Sequence, residues 1–194
     1  MKLAILDRDG TLNLLGEEYI TTPDEWVPQP GALEAVARLN RAGWHVVVAT
    51  NQPGLGRGLI DVMELNAIHA KMLRQLAVLG GRIDAVFYCP HAPDEACTCR
   101  KPAPGLFEQI ADRYGVEFED VRVVGNNAEH LLAGAALGTQ LHLVCTGFSA
   151  HLQPGQPLPP DMPEGTVLHA DLQAFADHLL AAAATTAPQD AIEK

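Results

Sequence analysis

Short apolar runs alternate along the chain with longer amphipathic segments. Leu3–Leu6 is an unbroken apolar stretch between polar residues, the pattern of a strand covered on both faces. Residues 44–49, 85–88, 121–124 and 140–145 read the same way, with a short last strand at 166–169. Apolar positions at helical spacing predict helices at 31–41, 61–79, 104–114, 128–137 and 171–184. Asp61 and Asp171 stand where N-caps belong, and Gly43 and Gly115 where helices stop. Strands separated by helices make βαβ units, so the expected fold class is α/β, a three-layer sandwich around a central parallel sheet. Residues 1–184 read as one domain, 147–165 within it as a Gly- and Pro-rich loop, and 185–194 as a frayed tail.

In such sheets ligands sit beyond the carboxyl ends of the strands. The residues just past each predicted strand are therefore informative. The first strand runs into Asp7-Arg8-Asp9-Gly10-Thr11, the second into Thr50-Asn51-Gln52 and Gly54-Leu55-Gly56-Arg57-Gly58. The third leads through a Cys/His loop to Arg100-Lys101-Pro102, the fourth to Gly125-Asn126-Asn127. Strand alternation points Asp7 and Asp9 the same way, and two close carboxylates repel unless a cation or a shared proton relieves them. Chemistry of this kind suits phosphoryl transfer. A carboxylate such as Asp7 can form an acyl phosphate, and a second, Asp9, can give and take the proton. Thr50 offers a hydroxyl and a backbone N–H to phosphoryl oxygens, and Lys101 a fixed positive charge. Arg57 and Arg100 can grip a second anionic group bidentately.

Composition narrows the class. The chain has 194 residues, 47% of them hydrophobic, enough for one full core. A formal net charge of −11 repels polyanions, so nucleic acid is not an expected partner. No apolar run approaches a membrane span, and no signal-peptide layout opens the chain; the expectation is a monomer in the cytoplasm. Of the four cysteines, Cys89, Cys97 and Cys99 lie in CPHAPDEACTC together with His91. Cys₃His is a tetrahedral zinc set, and thiols clustered beside a histidine suggest a structural Zn²⁺ that holds Arg100 and Lys101 toward the pocket. Cys145 is expected to be a small core residue of the fifth strand.

The segments DRDGT, VVVATNQ, CRKP and VVG followed by polar residues resemble the four motifs of the haloacid dehalogenase superfamily of phosphatases, from about residue 3 to 146. Within it the chain resembles the heptose bisphosphate 7-phosphatases, with the histidinol-phosphate phosphatases as near relatives. The resemblance implies a Rossmann-like fold with no large cap domain and a Mg²⁺-dependent phosphomonoesterase. Asp7 would be its nucleophile, Asp9 its acid–base, and Thr50 and Lys101 its phosphoryl binders. It implies Mg²⁺ on the Asp7 side chain, the Asp9 carbonyl and position 126. Arg8, Asn51, Gln52, Arg57, Arg100 and Asn127 are the expected contacts to a small phosphorylated sugar. In that family the activity serves lipopolysaccharide and related carbohydrate biosynthesis, which the resemblance implies here as well. The fourth motif departs from the family pattern: Asn126 and His130 stand where aspartates are expected, and Asn127 where the heptose enzymes have a lysine. An Asn oxygen brings no charge to a hard cation, which weakens Mg²⁺ binding. The alternatives left open are another small phosphate ester, histidinol phosphate included, and a catalytically weak paralogue that binds sugar phosphates.

Overall fold

The computed structural model describes residues 1–185. Apart from Thr185, the tail expected at 185–194 lies outside them. Six strands form one parallel sheet in the order β3-β2-β1-β4-β5-β6. They are β1 (Leu3–Leu6), β2 (His45–Asn51), β3 (Ala85–Cys89), β4 (Val121–Gly125), β5 (Gln140–Val144) and β6 (Val167–His169). The helices are α1 (Ala32–Arg41), the single turn α2 (Pro53–Gly56), α3 (Val62–Val78), α4 (Gly105–Tyr114), α5 (Ala128–Ala135) and α6 (Leu172–Thr185).

Strand alternation divides the core in two. Ala4, Leu6, Val46 and Val48 face the layer of α1, α3 and α6. Leu3, Ile5, Val47 and Ala49 face α4 and α5. Because both faces are covered, the strands carry no polar alternation, and each fully buried Leu, Ile or Val contributes about 1.5–3 kcal/mol. Asp61 caps α3 in a reciprocal capping box with Glu64, and Asp171 accepts from the Ala174 amide at the start of α6. Gly115 ends α4 in the left-handed region at φ 60°.

β1 lies between β2 and β4, in register with His45–Val48 on one side and Val121–Val124 on the other. The chain winds away from β1 in both directions, which opens a crevice at the carboxyl ends of these three strands. Residues 14–30 cross this edge as a short loop anchored by fully buried Trp26.

Two expectations change. Cys145 lies one residue past β5 and is half-buried, its amide donating to the His169 carbonyl; the sheet ladder ends at Val144 because β6 is short. The 147–165 loop begins with a 3₁₀ turn, Gly147–Ser149, that folds back over the β1 edge.

Candidate active site

Asp7 is the first residue past β1, 5% exposed, its amide held by the Val124 carbonyl of β4. Its Oδ1 accepts from Lys101 Nζ at 2.8 Å and from the Arg8 amide at 2.9 Å, and its Oδ2 accepts from Asn127 Nδ2 at 2.8 Å. Burial pushes the Asp7 carboxyl up most strongly, but its polar neighbours, led by the Lys101 ammonium and including the hydrogen bonds from Lys101 and Asn127, together hold it below the usual carboxylate range. Asp9 also lines the cleft. Its carboxylate is gripped by Arg8 Nε and Nη2, each at 3.0 Å, and by Asn13 and Gln52. The two carboxylates thus face one cleft, each with a protein cation of its own.

Lys101 is 2% exposed and fully engaged. Its ammonium donates to Asp7, to the Ala49 carbonyl at 2.9 Å and to His130 Nδ1 at 2.9 Å. A lysine only donates, so His130 accepts at Nδ1 and carries its proton on Nε2, which faces the Ile5 carbonyl at 3.4 Å. Burial, then Lys101, lower the His130 pKa to about 3. The imidazole is neutral near pH 7 and adds no charge to Asp7. Asn51 grips the Lys101 backbone from both sides, donating to its carbonyl and accepting from its amide.

Asn126 is fully buried beneath this floor. Its Nδ2 donates to the Asp9 carbonyl at 2.7 Å and to Thr11 Oγ1 at 2.9 Å, while its Oδ1 accepts from the Phe148 amide at 3.1 Å. The opposite amide orientation would set donor against donor at Phe148 and acceptor against acceptor at Asp9. Gly10 (φ 81°) and Gly147 (φ 53°) press on this side chain; a Cβ on either would meet its Oδ1 at 2.5 or 2.6 Å. Ser149 Oγ donates to the Asn126 carbonyl.

The cleft has a volume of about 180 Å³. Asp7, Asp9, Thr50, Asn51, Gln52, Arg100, Lys101 and Asn127 of the expected set line it, together with Glu129, Phe148 and parts of the 15–20 segment, Glu18 and Tyr19 among them. Gln52 Nε2 reaches both Asp9 and Thr50 Oγ1. Arg100 Nη1 is a buried donor with no partner among the described residues, as suits a group kept for an anion. Two expected substrate contacts do not line the cleft. Arg8 is fully buried and does not line the cleft; its guanidinium bonds Asp9, Gln52 and His69. Arg57 is exposed, its guanidinium 3.6 Å from Glu18 and 5.7 Å from the Tyr19 ring, two residues that line the cleft. The third expected Mg²⁺ ligand, Asn126, turns an N–H rather than an oxygen toward the Asp9 carbonyl.

Sequence reading missed the bonding roles of Asn13, Thr11 and His69 and the contribution of the 147–149 turn. Thr11 and Asn13 stand two and four residues past Asp9 and so carried a local signal. His69 and the 147–149 turn come from segments remote in the chain.

Cys89, His91, Cys97 and Cys99 do converge, their ligand atoms all within 4.8 Å of one another. Cys89 Sγ lies 3.1 Å from Cys99 Sγ and 3.8 Å from Cys97 Sγ, and His91 Nδ1 lies 3.3–3.4 Å from two of the sulfurs. Burial pushes the Cys89 thiol up to about 12.

A family of haloacid dehalogenase-like hydrolases matches residues 5–138. D-glycero-beta-D-manno-heptose-1,7-bisphosphate 7-phosphatase of Bordetella bronchiseptica is 50% identical over 181 residues, 93% of this chain and 98% of the relative. The Pseudomonas aeruginosa protein of that name is 47% identical over 178 residues, 92% and 97%. The crystal structure of D,D-heptose 1,7-bisphosphate phosphatase from B. bronchiseptica, complexed with magnesium and phosphate, superposes with a TM-score of 0.87 at 49% identity, covering 94% of this chain and 99% of that one.

Proposed function

Because the chain belongs to the haloacid dehalogenase-like hydrolases and, among them, to the heptose-1,7-bisphosphate 7-phosphatases, we propose that it removes the 7-phosphate of D-glycero-D-manno-heptose 1,7-bisphosphate. The observation that carries the reading is Asp7 on the cleft floor, ionised and held by Lys101 and Asn127, beside an Arg100 donor that lacks a partner among the described residues.

In this reading the Asp7 carboxylate attacks phosphorus. The P–O7 bond breaks as an acyl phosphate forms, and Asp9 protonates the departing O7. Asp9 then takes a proton from water, which opens the acyl phosphate and returns Asp7 and inorganic phosphate. Lys101 and Thr50 stabilise charge on the phosphoryl oxygens. Arg100 takes the second phosphate, a role that histidinol phosphate, with its cationic amine, does not fill. The small phosphorylated sugar is the only partner the reading requires.

Mg²⁺ fits the donor set in two places, the Asp7 carboxylate and the Asp9 carbonyl, both hard oxygens. Asn126 completes the set only by turning its amide, which costs the Phe148 amide its acceptor. When bound, the ion supplies positive charge to the phosphoryl group. The Cys89, His91, Cys97 and Cys99 set fits Zn²⁺ in number, softness and spacing. With four protein ligands such a site is closed and structural, and it ties β3 to the Arg100-Lys101 segment. Four free cysteines suit a reducing compartment such as the cytoplasm, and none of the described helices is long and apolar enough to cross a membrane.

The test is phosphate release from the heptose bisphosphate, a hexose 6-phosphate and histidinol phosphate, with Mg²⁺ titrated and the product's remaining phosphate located by NMR. The expected result is loss of the 7-phosphate, with the bisphosphate preferred and that preference reduced in Arg100→Ala. Binding without release, or equal turnover of all three esters, overturns the reading.

A further inference from the structure

Arg8 donates four hydrogen bonds from a fully buried guanidinium. Nε and Nη2 form the edge that grips the Asp9 carboxylate, and Nη2 also reaches Gln52 Oε1 at 3.1 Å. The third corner, Nη1, points away from the cleft into helix α3 and meets His69 Nε2 at 3.1 Å. His69 is 7% exposed and shares the inner face of α3 with Leu65, Ile68, Met72 and Leu76, all fully buried. It is a polar side chain in an apolar row.

Valence sets the roles in this contact. A guanidinium has no acceptor, so His69 Nε2 receives the hydrogen and the ring proton sits on Nδ1. Burial, and then Arg8, lower the His69 pKa to about 4, so the ring remains an acceptor near neutral pH. The guanidinium is a rigid plane. Holding its third corner therefore fixes the direction of the edge that grips Asp9.

We propose that His69 is a positioning residue, acting through Arg8 to aim the Asp9 carboxyl at the leaving-group oxygen. The proposal rests on the reading of Asp9 as the acid–base. A purely structural His69 only satisfies a buried guanidinium, and its loss slows every substrate alike. A positioning His69 matters where protonation of the leaving group matters. Nitrophenolate departs unaided, whereas phenolate needs the proton.

The experiment measures kcat/KM for substituted phenyl phosphates, from p-nitrophenyl to phenyl phosphate, with Mg²⁺ present. kcat/KM reports the step that forms the acyl phosphate, so later hydrolysis does not mask the effect. The enzymes are wild type, His69→Leu, His69→Gln and Asp9→Asn. His69→Leu removes the acceptor at similar volume and is expected to lose about tenfold more kcat/KM on phenyl than on p-nitrophenyl phosphate. His69→Gln restores an acceptor oxygen and recovers most of the difference. Asp9→Asn is expected to show the same selectivity, enlarged. If Asp9→Asn is selective and His69→Leu is not, the inference is overturned. If Asp9→Asn shows no selectivity, the acid–base reading itself fails. Should His69→Leu not fold, comparing His69→Asn, too short to reach Arg8, with His69→Gln asks the same question.

Discussion

Replacing Asn126 by Asp tests the cleft floor most directly. In the native chain the Asn126 Nδ2 donates to the Asp9 carbonyl at 2.7 Å, and Oδ1 holds the Phe148 amide. A divalent ion between positions 9 and 126 requires the amide to turn, leaving a buried N–H without an acceptor at a cost of about 1–3 kcal/mol. An aspartate keeps the Phe148 bond and needs no turn. It also adds a charge, and a unit pair 4 Å apart is worth up to about 4 kcal/mol at an effective permittivity of about 20. Taking about 1 kcal/mol for the amide and a heavily screened 2 kcal/mol for the charge gives about 3 kcal/mol, somewhat over a hundredfold in Kd. Without metal the same variant sets a carboxylate oxygen against the Asp9 carbonyl, so it melts below wild type and recovers when Mg²⁺ is added. Calorimetric Mg²⁺ titration at constant ionic strength, paired with melting curves, reads both effects. A Kd within threefold of wild type, with no metal-dependent change in Tm, refutes the placement of position 126 beside the cation.

Asp7→Asn is expected to lower turnover about 10³-fold or more while still accepting from Lys101, so circular dichroism should report a retained fold. Zinc analysis should find about one ion per chain, and its removal by chelation should lower Tm and loosen the Lys101 segment; a metal-free protein of unchanged stability counts against the site. Stability should fall with acid, because His130 and His142 are held near 3 by burial against an ordinary value of 6.5. Between those values the unfolded chain binds more protons, so stability is complete above about pH 6.5 and is lost as pH drops toward 3. Each such group contributes a slope of at most about 1.4 kcal/mol per pH unit. In urea titrations across this range His142→Gln should reduce the slope by about that amount, and an unaltered slope would show that His142 is not buried as a neutral ring.

Much of the site was legible because its chemistry is local to strand ends. Asp7 and Asp9 both stand just past the end of β1 and line one cleft, and the Cys/His set lies within eleven residues. Arg8, whose charge alone resembled a substrate contact, is spent within the protein on Asp9, Gln52 and His69, and the last two are remote in the chain. Nothing near Arg57 in the chain announces its neighbours Glu18 and Tyr19, which the rim loop brings to it.

Periodicity, turn residues and the placement of polar clusters after apolar runs determined the parallel α/β class, the edge that carries the cleft and the identity of the nucleophile candidate. These signals come from neighbours in the chain, where spacing dictates direction. The tertiary structure alone decided which oxygens each cation holds. Lys101 meets Asp7 and His130, Arg8 meets His69, and Asn126 meets the Asp9 carbonyl and the Phe148 amide. Those partners lie on different strands and helices, and a hydrogen bond depends on tenths of an ångström and on which end of an amide faces its neighbour. Only the packed core sets those positions.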